Sequence, residues 1–249
     1  MTEYSNYYET KLYPIQNEVL KNLSDLKLPF YLTGGTALSR GYFNHRYSDD
    51  LDFFVNDDKS FLSHVNLCID QLKNSGLNVD VEPSNSDTFS RMYINRNASG
   101  LNKEGLKIDF VNDIDVHYGS IENTPVYYRT DSIRNILSNK YTAIYRFSIK
   151  DVVDICEIAR NYSFNWNDII KEAEQKEAGI DLKEVVQIFK NYDDNSFKSI
   201  KWTKEPDYKI LRSTVESVAY DMLTLADNSL YTLKQEKKRK KKADFEFER

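Results

Sequence analysis

The stretch YLTGGTALSRGYFNHRYSDDLDFFV, residues 31–55, sets the tightest limits on what this chain can become. A short β-rich run, Phe30 to Leu32, is broken at Gly34-Gly35, and the chain resumes as a strand at Leu51–Val55. Side chains two apart on a strand share a face. Asp50 and Asp52 therefore stand side by side, with Leu51, Phe53 and Val55 on the other face. Adjacent carboxylates repel unless a cation lies between them. Metal-dependent phosphoryl-transfer sites are built this way, with hard Mg²⁺ ions taking carboxylate and phosphate oxygens. The Gly34-Gly35-Thr36 turn offers backbone N–H groups to an anion, and a short helix over Thr36–Phe43 adds its positive N-terminal end.

Around this segment the chain divides by character. Residues 9–26 carry Leu12, Ile15, Val19, Leu20, Leu23 and Leu26 at helical spacing, and 60–73 place Phe61, Val65, Cys68 and Leu72 on one helical stripe. Strands are predicted at 77–82, 89–95, 106–111 and 125–128, separated by Gly, Asn and Pro turns. After about residue 131 strand signals stop, and helices are predicted at 131–147, 149–161, 166–177, 181–191 and 207–231. The expectation is an α+β domain over 1–130, a mixed sheet flanked by helices, followed by a helical domain over 131–249. With 40% hydrophobic residues among 249, the chain can bury a substantial core and is not of disordered composition. No apolar run approaches the ~20 residues that span a bilayer, and the first residues lack the basic and apolar regions of a secretory signal. Cys68 and Cys156 lie in apolar helical patterns and read as buried free thiols of a reducing, cytoplasmic environment. The net charge of −5 excludes a generic polyanion binder, apart from the KKRKKK run at 237–242. That run is either a solvated tail or a grip on an RNA backbone.

Further along lie more candidates. Asp109 sits in the apolar strand GLKIDFV. It is either a strand-end residue facing water or a third acid, costly to bury unless paired or metal-bound. In the second case it acts as general base toward an attacking hydroxyl or helps hold a metal. Lys140 falls on the apolar stripe of Ile133, Ile136, Leu137, Ile144 and Phe147. Either its stem packs while its ammonium reaches water, or it is aimed into a cleft to neutralise phosphates. Ser148-Ile-Lys-Asp151 reads as a helix N-cap with an acid at the third helical position, which competes with a catalytic role for Asp151; Asp154 lies one turn on. His45, His64 and His117 show no metal spacing and no nucleophile partner. The 18 tyrosines could stack on bases, but most read as packing at the edge of the core.

As a set, these residues resemble the AbiEii/AbiGii-type nucleotidyltransferase toxins of bacterial type IV toxin–antitoxin and abortive-infection systems, within the polymerase-β-like nucleotidyltransferase superfamily. The resemblance rests on Gly34-Gly35-Thr36-Ala37-Leu38, Arg46-Tyr47-Ser48-Asp49-Asp50-Leu51-Asp52, Lys107-Ile108-Asp109 and Lys140 through Ala143, Arg146, Lys150-Asp151 and Asp154, in that order over residues 34–154. It implies a nucleotidyltransferase fold followed by helices, and transfer of an NMP from an NTP with Mg²⁺ or Mn²⁺ as cofactor. Asp50, Asp52 and Asp109 are the implied metal ligands, and these three with Lys140 and Asp151 the implied catalytic set. Gly34, Gly35, Thr36, Arg40, Arg46, Ser48, Lys140 and Arg146 are the implied nucleotide contacts; arginine suits bidentate phosphate binding. The implied partners are an RNA acceptor, tRNA foremost, and a cognate antitoxin, with no membrane association. Two rivals stand beside this reading: transfer of a nucleotidyl or phosphoryl group to a protein or small-molecule hydroxyl, and a non-catalytic nucleotide-binding module.

Overall fold

The computed structural model describes residues 4–83, 86–95, 105–113 and 116–235. The chain forms two compact units, Met1–Ser132 with Lys201–Glu205, and Ile133–Ile200 with Pro206–Arg249. The KKRKKK run lies outside the described residues.

The first unit is built on a five-stranded mixed sheet, in spatial order β1 (Tyr31–Thr33), β2 (Leu51–Asn56), β5 (Leu106–Asp113), β4 (Phe89–Ile94), β3 (Val79–Val81). Only the β2–β5 pair is parallel. Alternation decides the faces. Leu51, Phe53 and Val55 are buried while Asp52 and Phe54 are half-buried, and Ile108, Phe110, Met92 and Ile94 continue the inner face across the strands. Phe53 stacks on Phe110, with ring centres 5.2 Å apart, and Phe30 meets both Phe110 and Phe61 edge-on. Through Phe30 and Phe61 the inner face meets α2 (Phe61–Asn74), which in turn packs on α1 (Tyr13–Asp25). Helix α1 carries Pro14 in its first turn, where its missing N–H is not needed. It is preceded by a short α-turn, Ser5–Tyr7, and a wide π-turn, Tyr8–Leu12.

The predicted strand at 125–128 is not formed. Thr124 Oγ1 accepts from the Val126 and Tyr127 N–H groups, and the Thr124 N–H donates to the Tyr127 carbonyl, so Pro125 sits in a tight curl. The β-prone aromatics serve packing instead: Tyr127 is buried against Phe53, and Tyr128 donates to the Leu28 carbonyl. Residues 201–205 join this unit through an Arg46–Trp202 bridge, a Tyr47 N–H to Lys201 carbonyl bond of 2.7 Å, and a Lys201–Asp49 ion pair.

The second unit is helical among its described residues: α3 (Ile133–Thr142), tightening into a 3₁₀ turn Ala143–Arg146, then α4 (Ile149–Asn161), α5 (Trp166–Lys176), α6 (Leu182–Lys190), α7 (Asp194–Lys198) and α8 (Tyr208–Leu223). Trp166, Ile155, Ile158, Val185, Phe189, Val215 and Val218 fill its core. Asn165, Asp181, Asp193 and Asp207 cap α5, α6, α7 and α8 by accepting backbone N–H groups. The predicted helix over 207–231 is interrupted: it ends at Leu223, Leu225 is left-handed (φ 52°), and the chain is helical again over 229–235. Asp221 fixes the break by accepting from the Ser229 N–H and hydroxyl, both at 2.9 Å.

Candidate active site

Strand register assembles a row of polar residues across the sheet. Thr33 is opposite Asp52, Asp52 opposite Asp109, and Asp109 opposite Arg91. Register partners project from the same face, so Asp52 and Asp109 stand on neighbouring parallel strands on the face away from the Phe53–Phe110 core. Asp50 precedes β2 by one residue. Its carbonyl accepts a short hydrogen bond from the Thr36 hydroxyl, which is itself fully buried.

The Gly34-Gly35-Thr36 turn lies directly against these acids. Gly34 has φ 68°, and a Cβ there would come within 2.5 Å of Asp52 Oδ2. A Cβ on Gly35 would come within 2.6 Å of Arg46 Nη2 and 3.0 Å of Ser48 Oγ. A side chain at either glycine would have to displace a functional group, and Gly34 is favoured further by its left-handed backbone. The helix that follows is a wide π-helix, Ala37–Phe43, closed by left-handed Asn44, whose N–H donates to the Ser39 carbonyl.

The predicted phosphate-binding side chains divide. Arg46 and Ser48 are buried beside the Gly35 turn. Arg40 is turned away onto α1, where it donates to Gln16 Oε1 at 2.8 Å and to Asn17, and lies over the Tyr13 ring at 4.2 Å. Burial lowers its pKa, with Tyr13 and Glu9 opposing. Asp49, the residue just before the paired acids, is tied off by the Tyr8 hydroxyl and by Lys201 at 2.9 and 3.1 Å. Gln16 holds the peptide on either side of it through the Ser48 and Asp49 carbonyls.

Two basic residues to which sequence reasoning gave no role complete this face. Arg91 grips Asp109 with a two-pronged fork, Nε to Oδ1 at 2.6 Å and Nη2 to Oδ2 at 2.9 Å, and that bonding raises the guanidinium pKa above its ordinary value. Lys107 Nζ lies 3.0 Å from Asp50 Oδ2 and 3.4 Å from Asp109 Oδ2. Partial burial opposes its charge, but Asp50, Asp109 and Asp52 together outweigh this and raise its pKa. Their signal in the sequence is a basic residue at the polar phase of an alternating strand, Ser90-Arg91-Met92 and Leu106-Lys107-Ile108.

Two of the three carboxylates, Asp50 and Asp109, thus contact one ammonium, and Asp52 adds its charge to theirs. This donor set of hard oxygens fits a divalent cation such as Mg²⁺. Among the described residues, no three acidic, histidine or cysteine side chains already converge as a metal cage. The Arg91 fork is seen on Asp109.

The remaining predicted residues belong to the second unit. Lys140 is buried and bonds Asp151 Oδ1 at 2.6 Å and Asp154 Oδ2 at 2.9 Å. Arg146 reaches the same Asp151 at 2.9 and 3.0 Å, while two-thirds of its side chain stays exposed. Ser148 is the N-cap of α4 and Asp151 lies in its first turn as expected, but Ser148 makes no side-chain cap bond and the Asp151 carboxylate is held by Lys140 and Arg146.

Comparison with solved structures identifies the class of fold. JHP933 from Helicobacter pylori superposes with a TM-score of 0.55 at 19% identity, covering 97% of this chain and 99% of that one. MenT4, a nucleotidyltransferase toxin from Mycobacterium tuberculosis, superposes with a TM-score of 0.58 at 15% identity, covering 85% and 82%. With the acid row beside a Gly-Gly turn, this is a nucleotidyltransferase fold. The family described as "Nucleotidyl transferase AbiEii toxin, Type IV TA system" matches residues 18–225, and the chain belongs to that family; it is a nucleotidyltransferase. An uncharacterized protein of Aquifex aeolicus is 27% identical over 194 residues, which cover 74% of this chain and 84% of that protein. Among the described residues no helix is long and apolar enough to cross a membrane.

Proposed function

We propose that this protein moves an NMP from an NTP to the end of an RNA, tRNA foremost, in a Mg²⁺-dependent reaction that makes it the toxin of a toxin–antitoxin pair in the cytoplasm. The observation that carries this reading is the placing of Asp52 and Asp109 side by side on two parallel strands, with Asp50 just before the first strand sharing Lys107 with Asp109 and with Asp52 abutting Gly34. Asp50 and Asp52 would hold Mg²⁺, or Mn²⁺, with Asp109 beside them. The bound ion supplies charge neutralisation on the triphosphate.

The chain's own groups do the rest. The N–H groups of the Gly34-Gly35-Thr36 turn cradle the phosphates, since neither glycine interposes a Cβ. Arg46, behind Gly35, offsets the charge of the departing pyrophosphate through the turn. Thr36 fixes Asp50 through its backbone. Both Asp109 oxygens already accept hydrogen bonds from Arg91, which counts against proton abstraction as its role and leaves Asp50 and Asp52 as the main cation ligands, with Asp109 at their side. Asp151 and Asp154 hold Lys140 in place, and Asp151 also holds the exposed Arg146 guanidinium, which we assign to phosphate contact. Catalysis in this scheme is positioning and electrostatics.

The test is purified protein with Mg²⁺, total tRNA and each α-labelled NTP in turn. Label on tRNA with the intact protein but not with Asp52→Ala supports the reading. Labelled tRNA from both proteins, or from neither, counts against it.

A further inference from the structure

Lys107 stands where a cation is expected. Its ammonium touches one oxygen of Asp50, just before β2, at 3.0 Å and one of Asp109, on β5, at 3.4 Å. Asp109 needs no second cation to be neutralised, because Arg91 already forks both its oxygens. Asp50 differs: its side chain is 41% exposed, and among the contacts seen it relies on Lys107. The lysine is held in place by register, since Lys107 pairs with Tyr93 on β4 and lies two residues before Asp109, on the same face as Arg91 and Asp109. A strand-borne lysine there cannot leave the face, but its four-carbon stem can swing. The carboxylates it neutralises are the same ones that fit a divalent ion.

We propose that Lys107 is a built-in counter-ion of the metal site, occupying the carboxylate cluster in the nucleotide-free protein and giving way to the divalent cation. This inference rests on the cation-holding role assigned above to Asp50 and Asp52. Its consequence is selective. A metal ion arriving alone must displace an ammonium already in contact with two of the three acids, so binding to the bare protein is weak. An ion arriving with a triphosphate brings anionic oxygens of its own, which take up the displaced ammonium. Lys107 thereby makes metal binding dependent on nucleotide and sets a threshold against adventitious cations.

The experiment is Mn²⁺ binding to the nucleotide-free protein, read by electron paramagnetic resonance of the free ion, for wild type, Lys107→Met, Lys107→Arg and Asp52→Ala. Loss of a cation this close to the ligands tightens Mn²⁺ binding by about ten-fold or more in Lys107→Met, after allowance for solvent screening. Lys107→Arg, which keeps the charge, stays near wild type, and Asp52→Ala loses binding. In Lys107→Met, adding a non-hydrolysable NTP analogue improves Mn²⁺ affinity less than it does in wild type. Equal or weaker Mn²⁺ affinity in Lys107→Met overturns the counter-ion role while leaving the metal site standing. Absence of Mn²⁺ binding in every protein, with and without the analogue, overturns both. Should Lys107→Met fail to fold, the intact protein gives the answer: Mn²⁺ with the analogue must change the rate at which an amine-acylating reagent modifies Lys107, and an unchanged rate sinks the inference.

Discussion

At the scale of single residues, the site depends on two glycines whose missing side chains are filled by functional groups. Gly34 sits at φ 68° with Asp52 Oδ2 where a Cβ would be. Gly34→Ala is expected to cost about 1–2 kcal/mol for the left-handed backbone alone and to push Asp52 out of register with Asp109. Denaturant unfolding should show the first effect and nucleotide transfer the second; a variant with wild-type stability and activity would refute both. The Thr36 hydroxyl, buried and bonded to the Asp50 carbonyl, gives a gentler test. Thr36→Val should lose about 1 kcal/mol, with a fall in transfer rate if that bond positions Asp50. The two thiols report on the core. Burial pushes Cys68 and Cys156 up to about 12, so an alkylating reagent at pH 8 should modify neither until the protein is unfolded. The Asp-x-Asp pair and the glycines could be read from the sequence because period-two alternation and turn chemistry are local. The partners of Arg40 could not. Its engagement with Gln16, Asn17 and Tyr13 depends on how the π-helix packs on α1, and no spacing rule announces that.

At the scale of elements, the helix pair α3–α4 shows a function-like motif doing structural work at the same time. Lys140, on the apolar stripe of α3, neither snorkels to water nor stands alone. It is buried between two acids one turn apart on α4. Removing one partner of such a buried group is far more costly than its net contribution suggests. Lys140→Met should therefore destabilise the protein by about 3–5 kcal/mol, measured by denaturant unfolding, and Asp154→Asn added to it should cost less than the two changes summed. Additive losses would mean the groups do not act as one cluster. Strands β2 and β5 and most helices follow from apolar periodicity. The segment 125–128 did not, because Tyr127 and Tyr128 have strand propensity while Thr124 and Pro125 impose a curl. The break after Leu223 was likewise hidden, since it is set by Asp221 reaching forward to Ser229.

At the scale of the whole molecule, the chain is two compact units, and the first is completed by residues 201–205 from far along the sequence. That return rests on Lys201 meeting Asp49 and on Trp202 bridging Arg46. These long-range pairings anchor the segment that leads into the acid pair, and nothing local encodes them. The role given to the acid row makes the activity dependent on a divalent ion: a chelator should abolish transfer and added Mg²⁺ restore it, whereas transfer surviving in chelator would exclude that role. The most direct test of the reaction itself follows the phosphorus. The same NTP is supplied once with the label at the α-phosphate and once at the γ-phosphate, together with tRNA. Nucleotidyl transfer puts the α-label on the acceptor and sends the γ-label away in pyrophosphate; γ-label on the acceptor would instead reveal phosphoryl transfer and contradict the assignment.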